Sequence, residues 1–168
     1  MLTELISKSE SPVFFTGAGI STNSGIPDFR GPKGIWKTTE PIYFQDFVNS
    51  EEKRIESWER KFSNELNINK AKPNLGHQKI AEIMEKKDLS HLITQNVDNL
   101  HQESGVNEDQ ITELHGNATY AKCLDCQLRY DLEELKESFL ASKEPPLCSS
   151  CNGLIKTATI SFGQPMPE

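Results

Sequence analysis

The alternation of apolar and polar positions divides the chain into short strands and amphipathic helices. Residues 1–10 read as a short helix with Leu2, Leu5 and Ile6 on one face, and residues 12–16 (PVFFT) as a buried strand ending at a glycine turn. A helix is expected after Gly19, with Ser21 and Thr22 in its first turn. Residues 31–72 carry no strand pattern. GPKGIW is a loop, whereas PIYFQDFVNS and EEKRIESWERKFSNEL are helical, the second placing Ile55, Trp58, Phe62 and Leu66 at three- to four-residue spacing. Residues 74–87 predict a helix with Leu75, Ile80, Ile83 and Met84 along one side. Residues 91–94 predict a second strand running into QNVDN, and residues 111–114 a third running into HGN. Residues 120–153 form a separate cysteine-bearing module containing one helix, DLEELKESFLA, stopped by Pro145 and Pro146. In ATISF, Ala158, Ile160 and Phe162 alternate with polar residues, a strand pattern. Strands alternating with helices predict an α/β fold with a parallel sheet, the cysteine module being inserted between two of its strands.

Charge narrows the partners. The balance of 18 basic and 25 acidic residues gives −7, which disfavours a broad phosphate-backbone interface and suits a cationic partner such as a lysine-rich peptide. No apolar run is long enough to span a membrane. The opening MLTELISKSESP lacks the basic start and apolar block of an export signal, so a cytoplasmic protein is expected.

Four segments carry chemistry. Cys123, Cys126, Cys148 and Cys151 form two C-x2-C pairs 21 residues apart, a spacing that brings four thiolates around zinc. Four protein ligands leave no open coordination position, so the metal is expected to be structural. Gly17-Ala18-Gly19 follows a strand and opens a helix, a place where backbone N–H groups face an anion. The ordinary dinucleotide fingerprint fails, however: Thr22 stands where the third glycine belongs, and no second strand delivers Glu40 to a ribose. Residues 95–98 (QNVD) leave the end of a parallel strand, where ligands bind in such sheets, although a polar turn with Asp98 or Asn99 as helix cap reads equally well. His115 ends another strand and can act as a general base near neutral pH, though a lone histidine is more often structural. His77 reads as packing, and His101 as helix surface or a second-layer partner.

The order GAGIS, GIPDFR, TQNVDNLH, ELHGN, paired C-x2-C and ISFG resembles the sirtuin family of NAD-dependent protein-lysine deacylases over almost the whole chain. The resemblance implies a Rossmann-like large domain, with NAD and acyl-lysine meeting in a cleft beside a zinc ribbon and a helical module. The implied divisions are residues 1–117 for the NAD-binding part, including the helical module and cofactor loop at about 31–72; 118–154 for the zinc ribbon; and 155–168 for a return strand and substrate segment. By motif, Gly17, Ala18, Gly19 and Ser21 would contact the pyrophosphate and nearby ribose. Asp28, Phe29 and Arg30 would close over the nicotinamide ribose. Gln95, Asn96, Val97 and Asp98 would line the ribose and nicotinamide pocket, Asn96 also serving catalysis. His115 would be the catalytic base, the four cysteines the structural zinc ligands, and Ile160, Phe162 and Gly163 the segment that pairs with the peptide. The implied products are free lysine, nicotinamide and O-acyl-ADP-ribose, acetyl being the first acyl group expected because no Ala-Tyr-x-x-Arg arrangement follows GIPDFR. ADP-ribosyl transfer or NAD hydrolysis from the same site, and a non-catalytic zinc-ribbon module, are the alternatives.

Asn99 and Gln164 stand where many sirtuins have Gly and Glu. Sirtuins continue with further strands past the position of Glu168, so the resemblance predicts an incomplete sheet with an open edge and a bare core face, covered by a C-terminal portion or a partner chain.

Overall fold

The computed structural model describes residues 2–31, 34–63 and 68–166. Helix α1 (Leu2–Lys8) leads into β1 (Val13–Thr16), followed by a 3-10 segment, Ala18–Ser24. Then come α2 (Phe44–Asn49), α3 (Glu51–Phe62), α4 (Leu75–Met84), β2 (His91–Thr94), α5 (Leu100–Glu103) and β3 (Ile111–Glu113). The chain closes with β4 (Gly116–Cys123), β5 (Arg129–Tyr130), α6 (Leu132–Ser142) and β6 (Ile155–Thr159).

Strands β1, β2 and β3 form a parallel sheet in that order, with Val13 opposite His91 and Leu92 opposite Ile111. Helix α4 covers one face: Ala81 and Met84 pack with Leu92 and Val106, against Phe14 and Ile111. The other face is bare among the described residues. Val13 and Phe15 are 63% and 62% exposed, so β1 is buried on one side only, which departs from the buried strand expected from PVFFT. Leu5 and Leu75 are likewise exposed rather than core, and Leu66 lies outside the described residues.

A second sheet runs antiparallel in the order β5-β4-β6. The strand read from ATISF is displaced: the hydrogen-bonded part is Ile155–Thr159, and Phe162 lies beyond it, exposed. Strand β6 pairs with β4 rather than with the parallel sheet, and β4 begins at Gly116, ahead of the expected boundary at 117/118. Helix α3 supplies Trp58 to the core of this module, where it meets Ala121, Leu132, Leu135, Phe139 and Ile155. The helical segment and the cysteine module therefore share one core. A third cluster, Ile26, Ile68, Ala71, Leu100 and Ala118, seals the junction between the two sheets.

Helix starts follow local chemistry. Asp131 caps α6 through the Glu133 N–H, Ser50 caps α3 through Lys53, and Asn74 caps α4 through Gly76. The α-helix expected after Gly19 is instead a 3-10 turn, Ala18–Ser24, closed by left-handed Gly25. Its Ser, Thr and Asn side chains compete for backbone groups and weaken α-helix. Asn74 then ties this turn to α4, its Nδ2 donating to the Ile20 carbonyl at 2.7 Å and to Ser24 Oγ at 2.9 Å.

Gly116 has φ +70, and a Cβ there would lie far inside the van der Waals radius of the Ala158 carbonyl on β6. Both features require glycine. Gly116→Ala is expected to cost roughly 2–4 kcal/mol, measured by urea unfolding.

Candidate active site and metal centre

The C-terminal ends of β1, β2 and β3 open on a cleft of about 730 Å³, bounded opposite by residues 28–31 and 35–42, α3 and residues 156–166. It is lined by Ala18, Asp28, Phe29, Arg30, Gln95, Asn96, Val97, His115, Ile160, Phe162 and Gly163, all singled out in the sequence. Ser21 and Asp98 sit behind this wall, lining a small adjoining void with Ala18 and Asn96. Gly17 and Gly19 flank it in the first turn. A Cβ at either would meet nothing within 4 Å, and neither has a positive φ. Protein packing does not require those glycines, and the open space above them suits a ligand approaching the backbone.

The wall is held by buried polar groups. Ser21 Oγ donates to Asp98 Oδ2 at 2.6 Å and accepts from Asn96 Nδ2 at 3.1 Å. Asp98 Oδ1 accepts the Leu100 N–H at 3.1 Å, so both carboxylate oxygens have donors. His77 is fully buried behind them. Its Nδ1 accepts the Asn74 N–H at 3.3 Å, which leaves Nε2 protonated and donating to Ser21 Oγ at 3.4 Å. His101 packs on His77 with ring centroids 4.9 Å apart and meets Thr16 Oγ1 at 3.0 Å. Burial, and then His77 beside it, holds the His101 imidazole down to about 4; burial lowers that of His77 as well. Both rings are thus neutral near pH 7. The sequence reading of His77 as packing missed this role, because its partner Ser21 is 56 residues away.

His115 stands at the cleft with Nδ1 2.9 Å from the Gln95 carbonyl. A carbonyl only accepts, so Nδ1 carries the proton and Nε2 is the basic nitrogen. The Ile160 N–H donates to the His115 carbonyl at 2.8 Å, coupling this turn to the segment after β6. On the opposite wall Asp28 Oδ1 accepts the Gly31 N–H at 3.0 Å, and Phe29 packs against Trp36 at 5.3 Å, Trp36 in turn meeting Phe162. Two further wall residues carried no sequence signal. Lys61 donates to the Ala118 carbonyl at 2.7 Å, and buried Lys156 donates to that of Thr159 at 2.5 Å, with burial lowering the Lys156 ammonium to about 8.

The four cysteine sulfurs lie within 4.8 Å of one another. A tetrahedral zinc thiolate site, with bonds of about 2.3 Å, needs sulfurs about 3.8 Å apart, so the cluster fits. The two knuckles are built alike. Gln127 and Asn152, each following a second cysteine, have φ 61 and donate their N–H to the Cys123 and Cys148 carbonyls respectively. The Tyr130 hydroxyl donates to Cys148 Sγ at 3.0 Å and, as the main cause, holds that thiol down at about 6.

The Sir2 family model matches residues 17–168. A NAD-dependent protein deacetylase of Rhodopseudomonas palustris is 47% identical over 167 residues, covering 99% of this chain and 66% of the relative. One from Thermotoga maritima is 39% identical over 168 residues, covering 98% and 65%. A solved Sir2 structure with a deacetylated p53 peptide and 3'-O-acetyl ADP ribose superposes with a TM-score of 0.82 at 37% identity, covering 99% of this chain and 66% of that one. The chain thus spans slightly less than two thirds of the length of these proteins.

Purified protein is expected to hold one zinc per chain by elemental analysis. Cys126→Ser should lose most of it and unfold the β4–β6 module, lowering the thermal midpoint.

Proposed function

Because the chain belongs to the Sir2 family, we propose that its cleft is the catalytic cleft of a NAD-dependent protein-lysine deacylase, acting first on acetyl-lysine. The observation that carries this reading is the tautomer of His115: with Nδ1–H held by the Gln95 carbonyl, a basic nitrogen is available at a cleft that also contains Asn96. NAD, when bound, supplies an electrophilic ribose carbon with nicotinamide as leaving group.

The residues then have distinct tasks. The open turn at Gly17, Ala18 and Gly19 takes the pyrophosphate on backbone N–H groups. Ser21 takes part through the hydrogen bonds that hold Asn96 and Asp98. Gln95, Asn96, Val97 and Asp98 form the ribose and nicotinamide pocket, while Asp28, Phe29 and Arg30 close over it and keep water out. His115 Nε2 takes the proton of a ribose hydroxyl so that the hydroxyl oxygen attacks the acyl-derived carbon. Ile160, Phe162 and Gly163 offer backbone to an extended acyl-lysine peptide, as an added strand does. Residues 1–117 thus carry the cofactor wall, 118–154 the metal module and 155–168 the peptide segment, although Ile155–Thr159 is hydrogen-bonded into the metal module's sheet. The zinc, enclosed by four cysteines, stiffens that module and takes no part in the reaction. Four thiols gathered for metal suit a reducing compartment, here the cytoplasm. No described helix is long and apolar enough to cross a membrane.

With NAD and an acetyl-lysine peptide the protein should yield O-acetyl-ADP-ribose by mass spectrometry, and His115→Ala should slow this at least ~100-fold. Absence of product from folded wild-type protein contradicts the assignment, while free ADP-ribose or ADP-ribosylated peptide would mark a different transfer.

A further inference from the structure

Below the cleft, one side chain that the proposed chemistry does not use joins the two loops that carry it. Asn117, at the start of β4, is 2% exposed. Its Nδ2 donates to Asn99 Oδ1 at 3.0 Å and to Glu113 Oε1 at 2.8 Å. Its Oδ1 accepts from the Thr119 N–H at 2.8 Å and from Thr119 Oγ1 at 2.6 Å. Both donor hydrogens and both acceptor positions are occupied, so the amide has one orientation.

Its partners are placed for a purpose. Asn99, at φ 65, is the left-handed corner that ends the loop carrying Asn96 and Asp98. Glu113 lies two residues before His115 and is braced from α5 by Gln102 Nε2 at 2.8 Å. Backbone bonds already tie the two segments near the strands, Leu114 N–H to the Thr94 carbonyl and Ala118 N–H to that of Val97. Asn117 adds the tie at the far corner. Burial raises the Glu113 carboxyl above its usual range, opposed by the donors Gln102 and Asn117, while Glu108 and Asp98 add to the rise. Tyr120 on β4 also feels Glu113, and the Arg129 guanidinium lies over its ring at 3.8 Å.

We propose that Asn117 is a positioning residue: by bridging Asn99 and Glu113 it fixes the His115 turn against the Asn96–Asp98 loop, and so sets how tightly the cleft holds NAD. The inference rests on the NAD-dependent reading above. Loss of this amide leaves the reacting side chains chemically unchanged and shifts them relative to one another.

Asn117→Asp keeps the shape, deletes both donors and turns a carboxylate toward Glu113. Two facing carboxylates share one proton, which becomes available as pH falls. The variant is therefore most impaired when both groups are ionised, and protonation restores an O–H donor between them. By calorimetry, its NAD affinity near pH 8 should be about tenfold below wild type, recovering most of that difference near pH 6. Adding Glu113→Gln supplies an amide donor facing Asp at 117 and should restore affinity near pH 8. Circular dichroism shows whether each variant is folded at the assay temperature. If Asn117→Asp does not fold, Asn99→Gly decides: glycine suits the left-handed corner and removes only the acceptor, and NAD affinity should drop about threefold. Wild-type affinity in Asn117→Asp at both pH values, no gain from adding Glu113→Gln, or unchanged affinity in Asn99→Gly where that variant decides, overturns the proposal. If wild-type protein binds no NAD, the functional reading fails and backbone amide NMR judges the positioning claim separately. Asn117→Asp must then shift resonances of residues 95–99 and of His115; shifts confined to residues 116–119 overturn it.

Discussion

The hydrogen bond from Ser21 to Asp98, across 77 residues of sequence, is the constraint on which the cleft depends. It joins the first turn after β1 to the loop after β2, and Asn96 and His77 converge on the same hydroxyl. Ser21 is fully buried and Asp98 nearly so, in a setting where an unmade hydrogen bond costs about 1–3 kcal/mol and more for a charged group. Each member is therefore expensive to leave unpaired, and the network has few alternative arrangements. The neutral state of His77 and His101, enforced by burial, keeps additional charge out of it.

Around that constraint the molecule is assembled from two sheets with different sources of order. The parallel sheet relies on α4 and on the polar ties from Asn74 to the 3-10 turn. The antiparallel sheet relies on Trp58 from α3 and on the cysteine cluster at its end. Because α3 is anchored in the second module, the cleft has one wall from each sheet. The backbone hydrogen bond between Ile160 and His115 couples the proposed base to the segment proposed to meet the peptide.

Elements governed by near neighbours were legible in the sequence. The cysteine spacing encodes its own geometry, since each knuckle closes within five residues, and α4 and β2 follow from periodicity and capping alone. The strand at 158–162 was displaced because alternation continues past Thr159, where pairing with β4 stops. The burial of β1 was overread because Val13, Phe14 and Phe15 are consecutive apolar residues, whereas burial depends on which face of the strand is covered. The motif residues at the cleft were legible only together, through their order. His77, Lys61 and Asn117 were not, since what defines each is a partner brought near by the fold, and Lys156 was not because its burial, rather than its partner three residues along β6, sets it apart.

The central claim is that the Ser21 hydroxyl organises the NAD-facing wall. Calorimetric titration of Ser21→Ala with NAD tests it most directly. Removing the hydroxyl strips Asp98 and Asn96 of their shared partner, so the dissociation constant should rise at least about tenfold while circular dichroism stays that of the folded protein. A folded Ser21→Ala variant that binds NAD as tightly as wild type would contradict the account.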